Sequence, residues 1–277
     1  MKQSIILLFT VSLSYGQTQD TLPGPWTHGL VTGLTATQVS FTDWSQGGQN
    51  AFSWTASLDG KHAWAGELYQ WGNSYNLAYG QAEIGGEGIR RTADKIDLES
   101  IAGYQLEIAV DPYVALSFKS QFARGYIYRP IGDSVVSDFF DPAYITASSG
   151  LGYQPIPEVK TRLGAALRQV VTSKYTHYAD DPATSAIEKT RLEGGLESVT
   201  NVEWKLDDDV VFSSKLELFA AIKSLDVVIV RNDNTLAAKI NSYLSVNLNL
   251  QIINDRVASP RTQLKQMIAF GFSYVLI

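Results

Sequence analysis

Three histidines and no cysteine limit the catalytic chemistry this chain can assemble. His28 opens a strand-like stretch, and His62 lies in the turn-like DGKH of residues 59–62. His177 sits in SKYTHYADD, with Ser173 before it and Asp180 and Asp181 after it. An imidazole oriented by a carboxylate beside a hydroxyl is the kit for hydrolysis at a surface. No nucleophile elbow, paired-histidine metal motif or phosphate loop accompanies it. A solvated loop is therefore expected, no enzyme is predicted, and a surface hydrolase is a remote alternative. No cofactor and no metal site are assigned. Asp207, Asp208 and Asp209 are too close in sequence to converge on one ion and read as a tight turn. Asp138, Asp141, Asp180 and Asp181 fall on candidate outer loops, where carboxylates suit divalent ions that bridge lipopolysaccharide.

A larger set of charges recurs in phase with period two. It comprises Lys95, Asp97, Glu99, Glu107, Lys119, Lys160, Arg162, Arg168, Glu193, Glu197, Glu203, Lys205, Lys215, Glu217 and Lys265. In 159–171, Lys160, Arg162 and Arg168 alternate with Val159, Leu163 and Leu167. In 192–206, Glu193, Glu197, Glu203 and Lys205 alternate with Leu192, Leu196, Val202, Trp204 and Leu206. Successive side chains of a strand point to opposite faces, so each strand has one apolar and one charged face. Charges facing the inside of a barrel need opposite partners, and neighbouring strands can supply them. Arg162 and Arg168 are expected to pair with Glu193, Glu197 or Glu203 of the following strand.

The elements that carry these faces are long strands. Leu244, Val246, Leu248, Leu250 and Ile252 share one face of 241–252, and Tyr243, Ser245, Asn247, Asn249 and Gln251 the other. Candidate strands cover 26–42, 50–59, 63–80, 94–109, 113–128, 142–154, 159–171, 188–206, 210–222, 226–232, 235–253 and 261–277, with short turns at DGKH 59–62, VDP 110–112, PIPE 155–158, DDD 207–209 and NDN 232–234. Several exceed the roughly 5–6 residues of a soluble strand and suit a tilted membrane strand of about 9–11 in the hydrocarbon. Short connections alternate with mostly longer ones, as in an outer-membrane barrel. The expected fold is all-β, a single antiparallel up-and-down transmembrane barrel of about twelve strands, with ten as the alternative. No plug or periplasmic domain is expected. Trp44, Trp54, Trp64, Trp71, Tyr126 and Tyr128 are candidates for aromatic belts at the membrane interfaces.

Residues 1–16 read as a secretory signal peptide, with Lys2, an apolar run from Ile5 to Leu13, and the small residues Ser14 and Gly16. Residues 17–277 would then form the exported barrel domain. The absence of cysteine excludes disulfides and a lipid-modified cysteine after the signal. The net charge of −6 is spread without blocks, so nucleic acid is not an expected partner.

Several stretches resemble an uncharacterised outer-membrane β-barrel family of the Bacteroidota, a domain of unknown function. They are FTDWSQGGQN, LAYG with RRTADKIDLES, FKSQFARGY, VSDFFDPAY with SSGLGY, RLGAALR and RTQLKQMIAFGFSY, in order along the mature chain. The resemblance implies the outer membrane of a Gram-negative bacterium, in contact with lipid and lipopolysaccharide. It carries no catalytic residues. The expected function is a narrow channel for small polar solutes. The alternative is a structural or accessory barrel within a larger complex of outer-membrane proteins.

Overall fold

A computed structural model of the chain describes residues 26–40, 49–106, 108–128, 132–181, 183–256, 259 and 261–275. The expected signal segment, Trp44 and Glu107 lie outside the described residues. The alternating pattern builds twelve wall strands: β1 (Trp26–Val39), β2 (Ala51–Ala65), β3 (Tyr69–Ile84), β4 (Ile89–Tyr104), β5 (Val110–Ser120), β8 (Ala143–Ile156), β9 (Val159–Val171), β10 (Thr190–Asp207), β11 (Val210–Ala221), β12 (Val228–Lys239), β13 (Leu244–Asn254) and β14 (Gln263–Val275). β6 (Gly125–Ile127) and β7 (Ser134–Ser137) form a separate two-stranded ribbon between β5 and β8. Each wall strand pairs antiparallel with the next, and β1 pairs with β14 from Val31 opposite Val275 to Thr35 opposite Gly271. Closure removes the unpaired edges that an open sheet would expose. The twelve-strand expectation is met.

Both ends of the wall lie on one side of the barrel. On that side the connections are 66–68, 105–109, 157–158, 208–209 and 240–243. On the other they are 40–50, 85–88, 121–142, 172–189, 222–227 and 255–262. The connections on the second side are the longer ones, with 85–88 as the exception. Of the expected short turns, those at 59–62 and 232–234 are not turns: they lie inside β2 and β12, and the chain reverses at 66–68 and 240–243 instead. The turn expected at 110–112 falls at 105–109, because Val110, Asp111 and Pro112 already pair with Tyr153, Gly152 and Leu151. Tertiary pairing overrides the turn preference of Gly and Asn here. Gly60 is required because the ring of Tyr75 lies where a Cβ would stand. The stretch 113–128 also divides: β5 ends at Ser120, so Tyr126 and Tyr128 belong to the ribbon segment and not to the wall.

The outer face is apolar. Leu163, Leu167, Leu192, Ile268 and Phe270 are each more than half exposed. Aromatics gather near both ends of this face. Trp26 pairs in register with Trp64, which pairs with Trp71, and Tyr69 pairs with Tyr104, all near the end that holds the termini. Trp54 packs against Tyr79, ring centroids 5.8 Å apart, toward the opposite end. A hydrogen-bonded polar group stands in the apolar band. Ser214, Asn232 and Asn234 lie on the outer face midway along β11 and β12. Ser214 Oγ donates to Asn234 Oδ1 (2.8 Å), Asn232 Nδ2 to Ser214 Oγ (3.3 Å), and Asn234 Nδ2 to Asn232 Oδ1 and to the Leu250 carbonyl (3.3 Å). Such closure satisfies amides on an apolar face that offers them no other partners.

The inner face is fitted by size. Gly150 and Gly164 stand opposite each other on β8 and β9, and a Cβ on Gly164 would meet the Tyr113 hydroxyl at 2.7 Å. Tyr113 of β5, itself paired with Gly150, covers this gap, as aromatics do over strand glycines.

Candidate functional site

Register sets the direction of every charge. Opposite residues of paired strands share a face, so the inner face passes from Lys119 to Asp97 across β5 and β4, and from Glu217 to Arg231 across β11 and β12. The same parity turns Lys95, Glu99, Lys160, Arg162, Arg168, Glu193, Glu197, Glu203, Lys205, Lys215 and Lys265 inward.

These side chains meet across the lumen. Lys95 Nζ on β4 reaches Asp233 Oδ2 on β12 at 3.0 Å. The two strands stand six steps apart in the ring of twelve, so the pair spans the barrel. Glu99 accepts from Arg162 of β9 and from Lys215 of β11, the latter at 3.0 Å. Lys119 bonds to Glu217 and lies 3.7 Å from Asp97, and Lys215 lies 3.1 Å from Glu217. Toward the end opposite the termini, Asp255 receives Arg168 at 3.2 Å and stands 3.6 Å from Arg231. The burial is real: the side chains of Glu99 and Arg162 are 9 % exposed, and that of Asp255 is 2 % exposed.

Aromatic rings hold the guanidinium groups. Arg168 lies 5.2 Å from the centroid of Tyr144 and 5.6 Å from that of Phe219. Arg231 lies 4.9 Å from Tyr144, and Arg162 lies 5.6 Å from Tyr113. Cation–π contacts of this kind gain strength where water is excluded. Between Lys119, Tyr144, Arg168, Glu217 and Arg231 remains a cavity of about 40 Å³. That volume suits a water molecule and not a solute. Nearer the termini, Lys61 of β2 and Glu203 of β10 also bridge strands six steps apart, at 2.5 Å, but both are mostly exposed.

The expected pairing of Arg162 and Arg168 with the next strand is corrected. Arg168 stands opposite Glu193 in register, yet its guanidinium goes to Asp255, and Arg162 goes to Glu99. Glu193 lies 3.4 Å from Arg191 on its own strand, and Glu197 lines the cavity. Arginine is long enough to pass its neighbour inside a narrow barrel: Glu99 lies on β4, three steps round the ring from β9, and Asp255 just beyond β13, four steps away. Lys205 bonds to Asp208 in the adjoining turn at 2.8 Å. Sequence reading missed Asp59, Lys61, Arg231, Asp233 and Asp255. Arg231 and Asp233 alternate with Asn232 and Asn234, a period-two signal hidden by assigning NDN to a turn.

The loops at the end opposite the termini are tied to the barrel rim. Asp94 Oδ1 and Oδ2 accept the backbone N–H groups of Phe122 (2.6 Å) and Ala123 (2.9 Å), and Arg91 donates to the Ala123 carbonyl at 2.8 Å. Asp141 accepts the N–H groups of Ser173 (3.0 Å) and Lys174 (2.7 Å), joining two long loops. His177 lies in a single turn of 3-10 helix, exposed, with its ring against Tyr178. Asp180 accepts the N–H of Glu188, and Asp181 that of Ala183. The structure thus directs both carboxylates to loop backbone. It does not bring Ser173, His177 and these aspartates together as a hydrogen-bonded relay.

Residues 36–126 match a protein family of unknown function, DUF3078, and residues 143–275 match a second, DUF481. No curated protein matches the chain. Among solved structures it is similar to the translocator domain of autotransporter NalP from Neisseria meningitidis, with 11 % identity, 92 % of this chain and 90 % of that chain covered, and a TM-score of 0.40. It is also similar to an outer membrane channel from Pseudomonas putida F1, with 12 % identity, 94 % and 99 % covered, and a TM-score of 0.42. The CymD monoaromatic hydrocarbon channel is similar at 9 % identity, with 91 % and 88 % covered and a TM-score of 0.35.

Proposed function

We propose that this chain is an outer-membrane barrel whose lumen is a narrow passage for small polar solutes, closed at rest by its own ion pairs. An apolar outer face of this extent is not sustainable in water and is matched by lipid. The aromatic belts mark the two interfaces, and the longer connections face outward. The membrane is that of a Gram-negative bacterium of the Bacteroidota type, reached through a cleaved signal at residues 1–16. Lipid and lipopolysaccharide are its immediate partners. The observation that carries the reading is the ion pairing across the barrel, foremost Lys95 with Asp233. Such a layer admits water and small ions that exchange with its charges. It excludes larger apolar solutes, which would leave those charges unpaired.

The same closure also favours a second reading, a non-conducting barrel that supports other outer-membrane proteins. Planar bilayers separate the two. Small steady currents support the passage. Silence in the wild type and in variants lacking the bridging charges, together with co-purification of a partner, supports the accessory barrel. A surface hydrolase centred on His177 is the remote third reading, and requires an activity lost in His177→Ala.

A further inference from the structure

We propose that His28 and His62 form a two-histidine site for a divalent transition-metal ion on the outer wall of the barrel. The two residues are directly opposite each other on β1 and β2, on the lipid-facing side. Register alone therefore holds their side chains next to each other. Their Nδ1 atoms approach to 2.7 Å, and the rings are 5.0 Å apart at the centroids. The far nitrogen of His62, Nε2, lies 2.6 Å from the Tyr75 hydroxyl. The ring of Trp26 stacks on His28, 6.0 Å away and inclined by only 4°.

This chain of contacts selects a tautomer. When His62 Nε2–H donates to Tyr75, its Nδ1 carries the free lone pair. His28 then supplies the shared hydrogen from its own Nδ1. Neutral imidazole is the form that binds metal, and a hydrogen bond on the far nitrogen is the usual device that orients it. Two nitrogens bound to one ion at about 2.0–2.1 Å stand about 2.9 Å apart at the corner of a square-planar Cu²⁺ site and about 3.3 Å apart at a tetrahedral Zn²⁺ site. The observed pair needs only slight widening to admit the ion, and the His28 proton moves from Nδ1 to Nε2 of the same ring. No proton is lost and no oxidation state changes. Among the described residues no third histidine, aspartate or glutamate joins the pair, so water or a headgroup oxygen completes the coordination. Imidazole donors and the ordinary affinity series favour Cu²⁺ over Zn²⁺. Gly60 and Tyr75 build the site's floor, since any side chain at residue 60 would displace the Tyr75 ring.

The test uses the full protein, purified without a histidine tag in mild detergent and titrated with CuCl₂ while its tryptophan fluorescence is followed. Trp26 beside His28 provides the reporter. One equivalent of Cu²⁺ should quench the emission, Zn²⁺ should compete at higher concentration, and the Cu²⁺ paramagnetic resonance spectrum should show two nitrogen ligands. His28→Ala and His62→Ala should each weaken binding at least tenfold and leave one nitrogen. Tyr75→Phe should weaken it by about tenfold, as loss of an orienting partner does. His177→Ala should change nothing. Anomalous migration in unheated gels checks that each variant is folded, and His28→Gln and His62→Gln replace any that is not. No binding by the wild type, or binding that survives in both single variants, overturns the proposal. So does binding that depends on His177.

Discussion

Lys95 of β4 and Asp233 of β12 join at 3.0 Å although their strands stand on opposite sides of the barrel. Two side chains that meet from opposite walls set an upper limit on the lumen's width. Asn249 and Gln251 of β13 add donors to the same carboxylate, at 2.7 and 3.4 Å. Asp233 is thus a hub on which the layer is built, and the ion pairs define the barrel's interior more than its strand number does.

The facing of β13 is tested by two arginines. Leu248 points outward and Asn247 to the lumen, because Leu248 pairs with Leu236 and Ile268 and Asn247 with Ala237 and Ala269. A charge on the lipid face near the midplane costs about 2–4 kcal/mol, and a lumen charge much less. Leu248→Arg should lower the urea midpoint of unfolding in detergent far more than Asn247→Arg does.

Two ion pairs of similar geometry should differ sharply in worth. Glu99→Gln removes the carboxylate shared by Arg162 and Lys215: Lys215 keeps Glu217 at 3.1 Å, but Arg162 loses its ion pair in a poorly solvated interior. The expected loss is about 3–5 kcal/mol of unfolding free energy where the layer is dry. Glu203→Gln frees the exposed Lys61 and should cost no more than about 1 kcal/mol. Equilibrium unfolding of the two variants side by side reads the difference.

Acid should loosen the β6–β7 ribbon before the wall. The N–H of Phe139, at 2.9 Å, and the guanidinium of Arg124, at 3.2 Å, hold the Asp138 carboxyl below the usual carboxylate range. A lowered folded value means the contribution is complete above the unfolded carboxylate value of about 4. It is lost as pH falls through the lower folded one. Lys174, 3.7 Å away, and Asp141, paired through its backbone, are the other charged groups at this junction. Proteolytic cleavage of the ribbon should rise below that pH in the wild type, and Asp138→Asn should be cleaved alike on both sides of it.

Long alternating segments made the barrel legible, because a strand with one lipid face and one lumen face must repeat every two residues. Local composition misled at two places. DGKH and NDN carry the residues of turns, but Asp59 bonds to Asn76, Gly60 makes room for Tyr75, and Asn232 and Asn234 satisfy each other on the outer wall. Those contacts depend on neighbouring strands, which no single stretch reveals. The faces of Arg162 and Arg168 could be read from the leucines between them. Their partners could not, because Glu99 and Asp255 lie far away in sequence and are brought near only by the curvature and stagger of the closed wall.

The most direct measurement is single-channel conductance in planar bilayers, comparing the wild type with a double variant, Lys95→Ala with Asp233→Ala. Removing both partners takes away the bridge without leaving its opposite charge behind. An ion-paired lumen predicts small or rare openings in the wild type and conductance several-fold larger in the double variant at the same salt. A double variant that folds, inserts and stays as silent as the wild type would contradict a passage held shut by Lys95 and Asp233.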